Sequence, residues 1–453
     1  MRDATDNVAV DRAELQGNIL RGYALPHAAY LFVRVDERAA ARRWLGALVD
    51  GVTTAEPWRQ GKPESTLNVA LTHAGLAALG APPEALAAFP EDFRQGMAAR
   101  AHHLGDAGEH APGRWEQGMG TGQAHVLVML NAREQAVLDE EVRRVLDPAG
   151  DAQAGVTLVH EQRAEGLAGN REHFGFSDGL SQPAIKGDGV RATPGQGTPE
   201  ADGQWSELEL GEFILGYPDS DQEVPQAPAG PLGRDGTFMV YRKLHQDVAL
   251  FRRVLREHAA GIPDGEELLA AKIVGRWRDG TPIVLSPDGA DRERYSSPET
   301  INDFRYGDDL DGLRCPLGAH VRRTNPRDAL GWHGTRSRRH RMIRRGMPYG
   351  PPLPEGATED DGSDRGLIFV CFVASLARQF EVVQRQWCGD GNIFGLGDDR
   401  DFLLLDDDRD TAKLTIQGDP PRFLSPQPRT VTVRGGEYLL VPSVSGLRSL
   451  AST

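Results

Sequence analysis

The chain has 453 residues, 39% of them hydrophobic, with 53 glycines, 30 prolines and a formal net charge of −15; it is long enough for two cores and too apolar to stay disordered. No apolar run reaches the roughly 18 residues that a membrane-crossing helix needs, and the acidic balance argues against broad nucleic-acid binding, which takes a basic face. Three widely spaced cysteines, Cys315, Cys371 and Cys388, argue against a disulfide scaffold. The opening MRDATDNVAVDRAELQGNIL lacks an apolar export segment and a twin-arginine start, so residence in the cytoplasm is expected.

In chain order, AYLFVRV (29–35) alternates as a half-buried strand does, and DERAAARRWLGALV after it carries apolar residues at helical spacing. TLNVAL (66–71) leads into THAGLAALG, AHVLVML (core 125–130) into NAREQAVLDEEVRRVL, and GVTLVHEQ (155–162) closes the first half. The order recurs: TFMVYRKL (237–244) precedes HQDVALFRRVLREH, and LIFVCFVA (367–374) precedes SLARQFEVVQRQW. Strands that alternate, rather than running solidly apolar, predict antiparallel sheets with helices on one face instead of a parallel doubly wound sheet. Two such halves predict a duplicated α+β fold, with domains at 1–200 and 201–453 joined through the Gly-, Pro- and acid-rich linker KGDGVRATPGQGTPEADGQWSE (186–207). Between 274 and 366 the periodicity dissolves over a stretch too long for a plain loop, which is therefore expected to be functional.

Residues 314–345 lie in that stretch and hold ten arginines against one acid, Asp328. So basic a segment in an acidic chain calls for an anionic counterpart: a nucleic acid, a phosphorylated ligand or a cofactor bearing carboxylates. Interleaved aromatics and a GxxxxGK[ST] loop are both missing, which counts against the nucleic-acid and nucleotide readings. His320, preceded by small residues, is either a satisfied structural histidine or a transition-metal ligand. Asp178 in HFGFSDGLSQP (173–183) reads first as an Asp-Gly turn; its functional reading is a carboxylate held close to a ligand by glycine turns, able to move protons. The arginines of SRRHRMIRRGMPYGPP (337–352) are a solvated charge run or a means of stabilising developing negative charge.

Other chemistries find little support. HExxH is absent, which disfavours zinc, and no GxSxG marks a serine nucleophile. An EF-hand counted from Asp406 puts Thr411 where glycine is required and Gln417 where the bidentate glutamate belongs, so GLGDDRDFLLLDDDRD (395–410) reads as a solvated loop.

Taken in order, LQGNILRGY (15–23), GFSDG (175–179), CPLGAHVRRTNPRD (315–328), RHRMIRRGMPYG (339–350) and RQFEVVQRQW (378–387) resemble the haem-dependent dye-decolourising peroxidase family, and its longer branch most. The resemblance implies duplicated ferredoxin-like domains with one haem b per chain in the C-terminal half. It implies His320 as the proximal iron ligand, Asp178 as the distal acid-base and Arg344, with Arg345 as the neighbouring alternative, as the distal arginine. It further implies Glu381 as the carboxylate supporting the proximal histidine, and Arg323, Arg341 and His340 as partners of the haem propionates. The expected activity is reduction of hydrogen peroxide and oxidation of bulky dye-like or phenolic donors through a ferryl haem, with a haem-handling protein lacking fast turnover as the alternative. Because an aspartate stays ionised into the acidic range, activity is expected to persist there. Trp387, Tyr349 and Tyr306 are candidates to relay electrons from the surface; the plainer reading of each is core packing.

Overall fold

Side-chain alternation along the first strand sets the architecture. In the computed structural model, which describes residues 10–59, 61–150, 155–260, 265–397, 399–404, 412–427 and 429–452, β1 (His27–Val35) sends Ala29, Leu31 and Val33 to one face and Ala28, Tyr30 and Phe32 to the other. The first set meets Trp44, Leu45 and Leu48 of helix Arg38–Val49, whose N-terminus is capped by the Glu37 carboxylate accepting from the Ala39 and Ala40 amides. The second set enters a core in which strand residues such as Tyr241 and Phe372 meet Leu15 and Ile19 of the N-terminal segment and Phe213 and Ile214.

The remaining strands are β2 (Ser65–Leu71), β3 (Val126–Ala132), β4 (Val156–Glu165), β5 (Thr198–Pro199), β6 (Trp205–Ser206), β7 (Thr237–Gln246), β8 (Ile343–Arg344), β9 (Met347–Tyr349), β10 (Gly366–Val373), β11 (Ala412–Ile416), β12 (Arg422–Gln427) and β13 (Val431–Val441). Nine of them form one sheet in the order β4-β1-β3-β2-β13-β7-β10-β8, with β9 also on β10, and all its pairings are antiparallel. The sheet curls until β4 lies against β9, so one face becomes an interior and the other carries the helices. An antiparallel α+β fold was legible from the alternation, although β1 and β10 are largely buried on both faces.

The two halves join where Leu71 of β2 pairs with Leu440 of β13. Gln16, fully buried, staples the joint: its Nε2 donates to the carbonyls of Val69 (2.8 Å) and Pro442 (2.9 Å), and its Oε1 accepts from the Val69 amide (2.8 Å). That gives the LQGN motif a structural purpose. The stretch 186–207 is not a plain linker: β5 and β6 pair within it, and the carbonyls of Gln196 and Gly197 accept from Arg341. The segment expected as a helix at 375–387 is present as two wide-turned π-helical pieces, Leu376–Glu381 and Val383–Cys388.

Inside the curled sheet, Glu437 faces Tyr241 across the β13–β7 pair with 6% exposure, and its Oε1 accepts from the Gly120 amide at 2.7 Å. Burial outweighs that hydrogen bond and raises its carboxyl from 4.5 to about 7. The unfolded chain therefore loses this proton first as pH rises from 4.5, and the folded state is progressively destabilised until pH passes about 7. The span corresponds to about 3 kcal/mol. Glu437→Gln should raise stability by up to about that amount at pH 8 and leave it unchanged at pH 4, as read by denaturant unfolding at the two pH values.

Candidate active site

A cavity of about 310 Å³ opens beside the second half of the sheet. β7 lines it with Arg242, Leu244 and Gln246, β10 with Leu367 and Phe369, and the loop after β4 with Phe174, Phe176 and Asp178. The aperiodic region from 274 onward, expected to be functional, supplies Arg276, Trp277, His320, Arg327, Arg341 and Arg344 to the lining.

His320 opens the short helix His320–Thr324 behind a β-conformed Ala319. Its Nδ1 lies 2.7 Å from Oδ2 of Asp401, which is fully buried, while the imidazole side chain keeps 29% exposure. The other Asp401 oxygen accepts from the Leu403 (3.0 Å) and Leu404 (3.1 Å) amides, fixing the carboxylate's angle. Burial alone would pull the His320 pKa down, but the charge and hydrogen bond of Asp401 raise it above its ordinary value. Asp401 is correspondingly lowered: burial opposes its charge, and His320 and Arg323 more than compensate. With Nδ1–H donated to Asp401, Nε2 is the nitrogen left to the cavity.

The carboxylate expected behind His320 was Glu381, and the structure corrects this. Glu381 is held bidentately by Arg100, Nε and Nη2 each at 2.6 Å, and accepts from Tyr438 Oη at 3.0 Å. It supports a different buried pair. Asp401 was missed because the acidic stretch 395–410 reads as solvated; Asp399 and Asp401 are instead fully buried, while 405–411, including the EF-hand positions Asp406 and Thr411, lie outside the described residues.

Asp178 sits in a turn fixed from both ends. Its amide donates to Asn170 O (2.9 Å), its carbonyl accepts from Asn170 Nδ2 (2.7 Å), and Oδ1 accepts from the Gly179 amide (2.6 Å). The SQP end of the same motif grips Arg344: Gln182 Nε2 donates to Arg344 O (2.9 Å), Gln182 Oε1 accepts from Arg344 N (3.0 Å), and Ser181 O accepts from Arg344 Nη2 (2.9 Å). Asp178 and Arg344 are thus tied together across the two halves. Arg345 turns away to the carbonyls of Asn18 and Ile19, so Arg344 is the arginine of the cavity.

The basic stretch divides sharply. Arg327, Arg341 and Arg344 line the cavity, joined by Arg276 from outside the run. Arg323, expected at a propionate, is fully buried with its donors on the carbonyls of Gly318, Trp387, Asp390 and Asp399, away from the lining. His340 is also displaced from that expectation, its Nδ1 on Arg378 O and its ring against Trp387. Arg341 is retained. Arg276 and Arg327 were missed; Arg276 carries no motif, and Arg327 stood in the quoted NPRD without being singled out. Trp387, Tyr349 and Tyr306 are all at most 2% exposed, so none is a surface relay.

Five arginines against three carboxylates, Asp106, Glu172 and Asp178, line the described part of the cavity, a surplus of two positive charges. Burial, with repulsion among neighbouring arginines, pushes Arg276, Arg327 and Arg341 down to about 10, and Arg327 Nε is buried without a hydrogen-bond partner. Such a lining fits a flat, mainly apolar group that carries two anionic arms and presents a metal to one imidazole. Haem has those properties.

Known proteins give a consistent comparison. A family model described as "DyP dimeric alpha+beta barrel domain" matches residues 14–165, and one described as "Dyp-type peroxidase, C-terminal" matches residues 291–393. The "Multifunctional dye peroxidase DyP2" of Amycolatopsis sp. is 32% identical over 99% of this chain and 98% of its own, and "Dye-decolorizing peroxidase msp1" of Mycetinis scorodonius is 28% identical over 99% and 89%. Among solved structures, an ancestral D-type dye decolorizing peroxidase superposes with a TM-score of 0.85 at 29% identity, covering 98% of this chain and 100% of that one. A dye-decolorizing peroxidase in complex with 2,6-dimethoxyphenol gives 0.84 at 26%, with the same coverage.

The Asp401–His320 pair separates two carboxylates by experiment. Asp401→Ala should weaken haem binding about 10- to 100-fold, as loss of a ligand's hydrogen-bond partner does, measured by Soret titration. Glu381→Gln should leave that affinity within about twofold and instead lower stability by about 3 kcal/mol, because Arg100 loses its buried partner.

Proposed function

The chain belongs to the dye-decolourising peroxidase family and is a haem-dependent peroxidase that uses hydrogen peroxide to oxidise organic donors; we propose that the cavity holds one haem b per chain, with His320 Nε2 on its iron and the two propionates among Arg276, Arg327 and Arg341. The observation that carries this reading is the convergence of an aspartate-supported histidine, an Asp178–Arg344 pair and a surplus of two buried guanidinium charges on one cavity. Bound haem supplies the iron that peroxide adds to and the redox capacity to take up its two oxidising equivalents.

The chain's own residues move the proton and stabilise charge. Asp178 takes the proton from the inner peroxide oxygen and delivers it to the outer one, so that the departing oxygen leaves as water. Arg344 stabilises the negative charge on that oxygen as the O–O bond lengthens, and Ser181 O and Gln182 hold its backbone and guanidinium so that little reorganisation is needed. Asp401, fixed by two amides, holds the His320 ring in one tautomer and makes Nε2 a stronger donor. The apolar walls of Phe174, Phe176, Leu367 and Phe369 keep water out and strengthen each of these interactions.

Phenolic and dye-like donors are proposed substrates, supported by the relative solved with 2,6-dimethoxyphenol. The distal pair favours turnover over haem handling, because carriage of haem requires neither acid-base nor charge stabilisation at an oxygen. A cytoplasmic setting is part of the proposal, supported by three buried cysteines of which none forms a disulfide.

Asp178→Asn should slow the reaction of the ferric holoenzyme with peroxide by about 10²- to 10⁴-fold, and Arg344→Leu by about 10²- to 10³-fold. Stopped-flow absorbance at the Soret band is the measurement, with haem content confirmed in each variant. A rate within threefold of the parent in either variant that retains haem removes that residue from the proposed role.

A further inference from the structure

We infer that Glu172 is a positioning residue for Asp178: its half-buried carboxylate is the post around which the GFSDG turn is wound, with Gln246 of β7 as the brace. The inference rests on the role of Asp178 proposed above and goes beyond it.

Three donors converge on the two oxygens. Oε1 accepts from the Phe176 amide at 2.9 Å, and Oε2 accepts from the Phe174 amide at 2.9 Å and from Gln246 Nε2 at 2.6 Å. The backbone closes the same loop, with Glu172 N donating to Phe176 O (3.0 Å) and Gly175 N donating to Glu172 O (2.8 Å). A chain wound so tightly requires the left-handed conformation of Gly175, at φ 96°, where an added Cβ would also meet Arg278 Nη1 at 2.9 Å. Asp178 lies two residues beyond the last amide held.

Arg278 completes the grip from outside. Its guanidinium donates to Phe174 O and covers the Phe176 ring at 5.1 Å, and its carbonyl accepts from the Ser177 amide at 2.9 Å. Every residue from 174 to 178 is therefore held either by Glu172, by Arg278 or by Asn170, and only the Asp178 side chain projects without a clamp beyond the Gly179 amide. Glu172 also lines the cavity. A carboxylate suits the post because it offers acceptors only: an amide in its place would turn an N–H toward an amide hydrogen or toward Gln246, leaving at least one buried donor unsatisfied. Nothing in the proposed chemistry requires a second acid there, and the three donors occupy the oxygens that a proton donor would need.

If Glu172 works through Asp178, its loss matters only while Asp178 is present. The test is a double-mutant cycle on the holoenzyme with Glu172→Gln, Asp178→Asn and the pair. Two quantities are read: the stopped-flow rate with peroxide, and the cyanide dissociation constant of the ferric protein from its Soret shift. Cyanide binds as an anion from a weak acid, so it reports the distal proton acceptor without turnover. Glu172→Gln should slow the first and weaken the second by tenfold or more when Asp178 is intact, and by less than twofold in the Asp178→Asn background. Equal factors in both backgrounds, or no effect with Asp178 intact, overturn the inference while the role of Asp178 stands. No effect of Asp178→Asn by itself removes that role and the inference with it. Should Glu172→Gln fail to fold, Gln246→Leu takes its place in the cycle, removing one of the three donors, with an expected factor of two to five and the same criterion.

Discussion

Buried positive charge is the constraint that orders this molecule. An arginine cannot shed its proton as a lysine can when water is removed, so each one placed in the interior must find acceptors or a counter-ion. Along 314–345 most find them within the protein: Arg322 on Asp309 and the Cys315 carbonyl, Arg323 on four carbonyls, Arg345 on Asn18 and Ile19. Each such arginine pins aperiodic chain that has no ladder of its own. The group lining the cavity finds carbonyls too, Arg276 on Gly280 and Ile301, Arg327 on Asn302 and Phe304, Arg341 on Gln196 and Gly197, but its members also repel one another. In the proposed holoenzyme, the surplus of charge on the lining requires an anionic ligand.

That requirement explains why the fold keeps its two halves in one sheet. Asp178 leaves the first half just after β4, whereas His320 and Arg344 belong to the second. A flexible junction would let Asp178 wander relative to Arg344, its proposed partner. Gln16 locks β2 to the end of β13, Arg345 draws the N-terminal LQGNIL turn against β8, and Gln182 brackets the backbone of Arg344. These contacts span sequence separations of 53 to 426 residues. They are hydrogen bonds of buried amides and guanidiniums, the kind whose loss costs more than their presence contributes.

How much of this was readable in advance follows from the range of each interaction. The strands and helices are local, and their periodicity carried them; the turn around Asp178 is local too and was legible in its Asp-Gly pair, whereas the short helix that starts at His320 went unread. Arg344 was legible only to within one residue, since Arg344 ends β8 and Arg345 follows it, and sequence spacing does not say which of two neighbours faces the cavity. Asp401 was hidden because it meets His320 across 81 residues from a stretch whose composition looks solvated. Glu381 and Arg323 misled for the converse reason: a charged residue near a motif was taken for a member of the site, when burial had already given it to Arg100 in one case and to backbone carbonyls in the other. β11, β12 and β13 went unread, the last because Gly435 and Gly436 interrupt its alternation at the bulge beside Val433.

The same reasoning separates the two carboxylates that face the cavity from the GFSDG loop. A carboxyl group whose lone pairs are met by fixed donors is held in place by them, and one left with open lone pairs is free to exchange a proton with a ligand. Glu172 has three donors on its oxygens and Asp178 has one, from its own neighbour Gly179. In the proposed roles, two carboxyl groups six residues apart are thereby divided into a fixture and a reagent by their hydrogen bonding. The division works only if the fixture does not move, which is why the turn is also gripped from outside by Arg278, itself anchored to Glu267. Sequence motifs record the reagent because its identity is conspicuous; the fixture is visible only once the amides that surround it are placed.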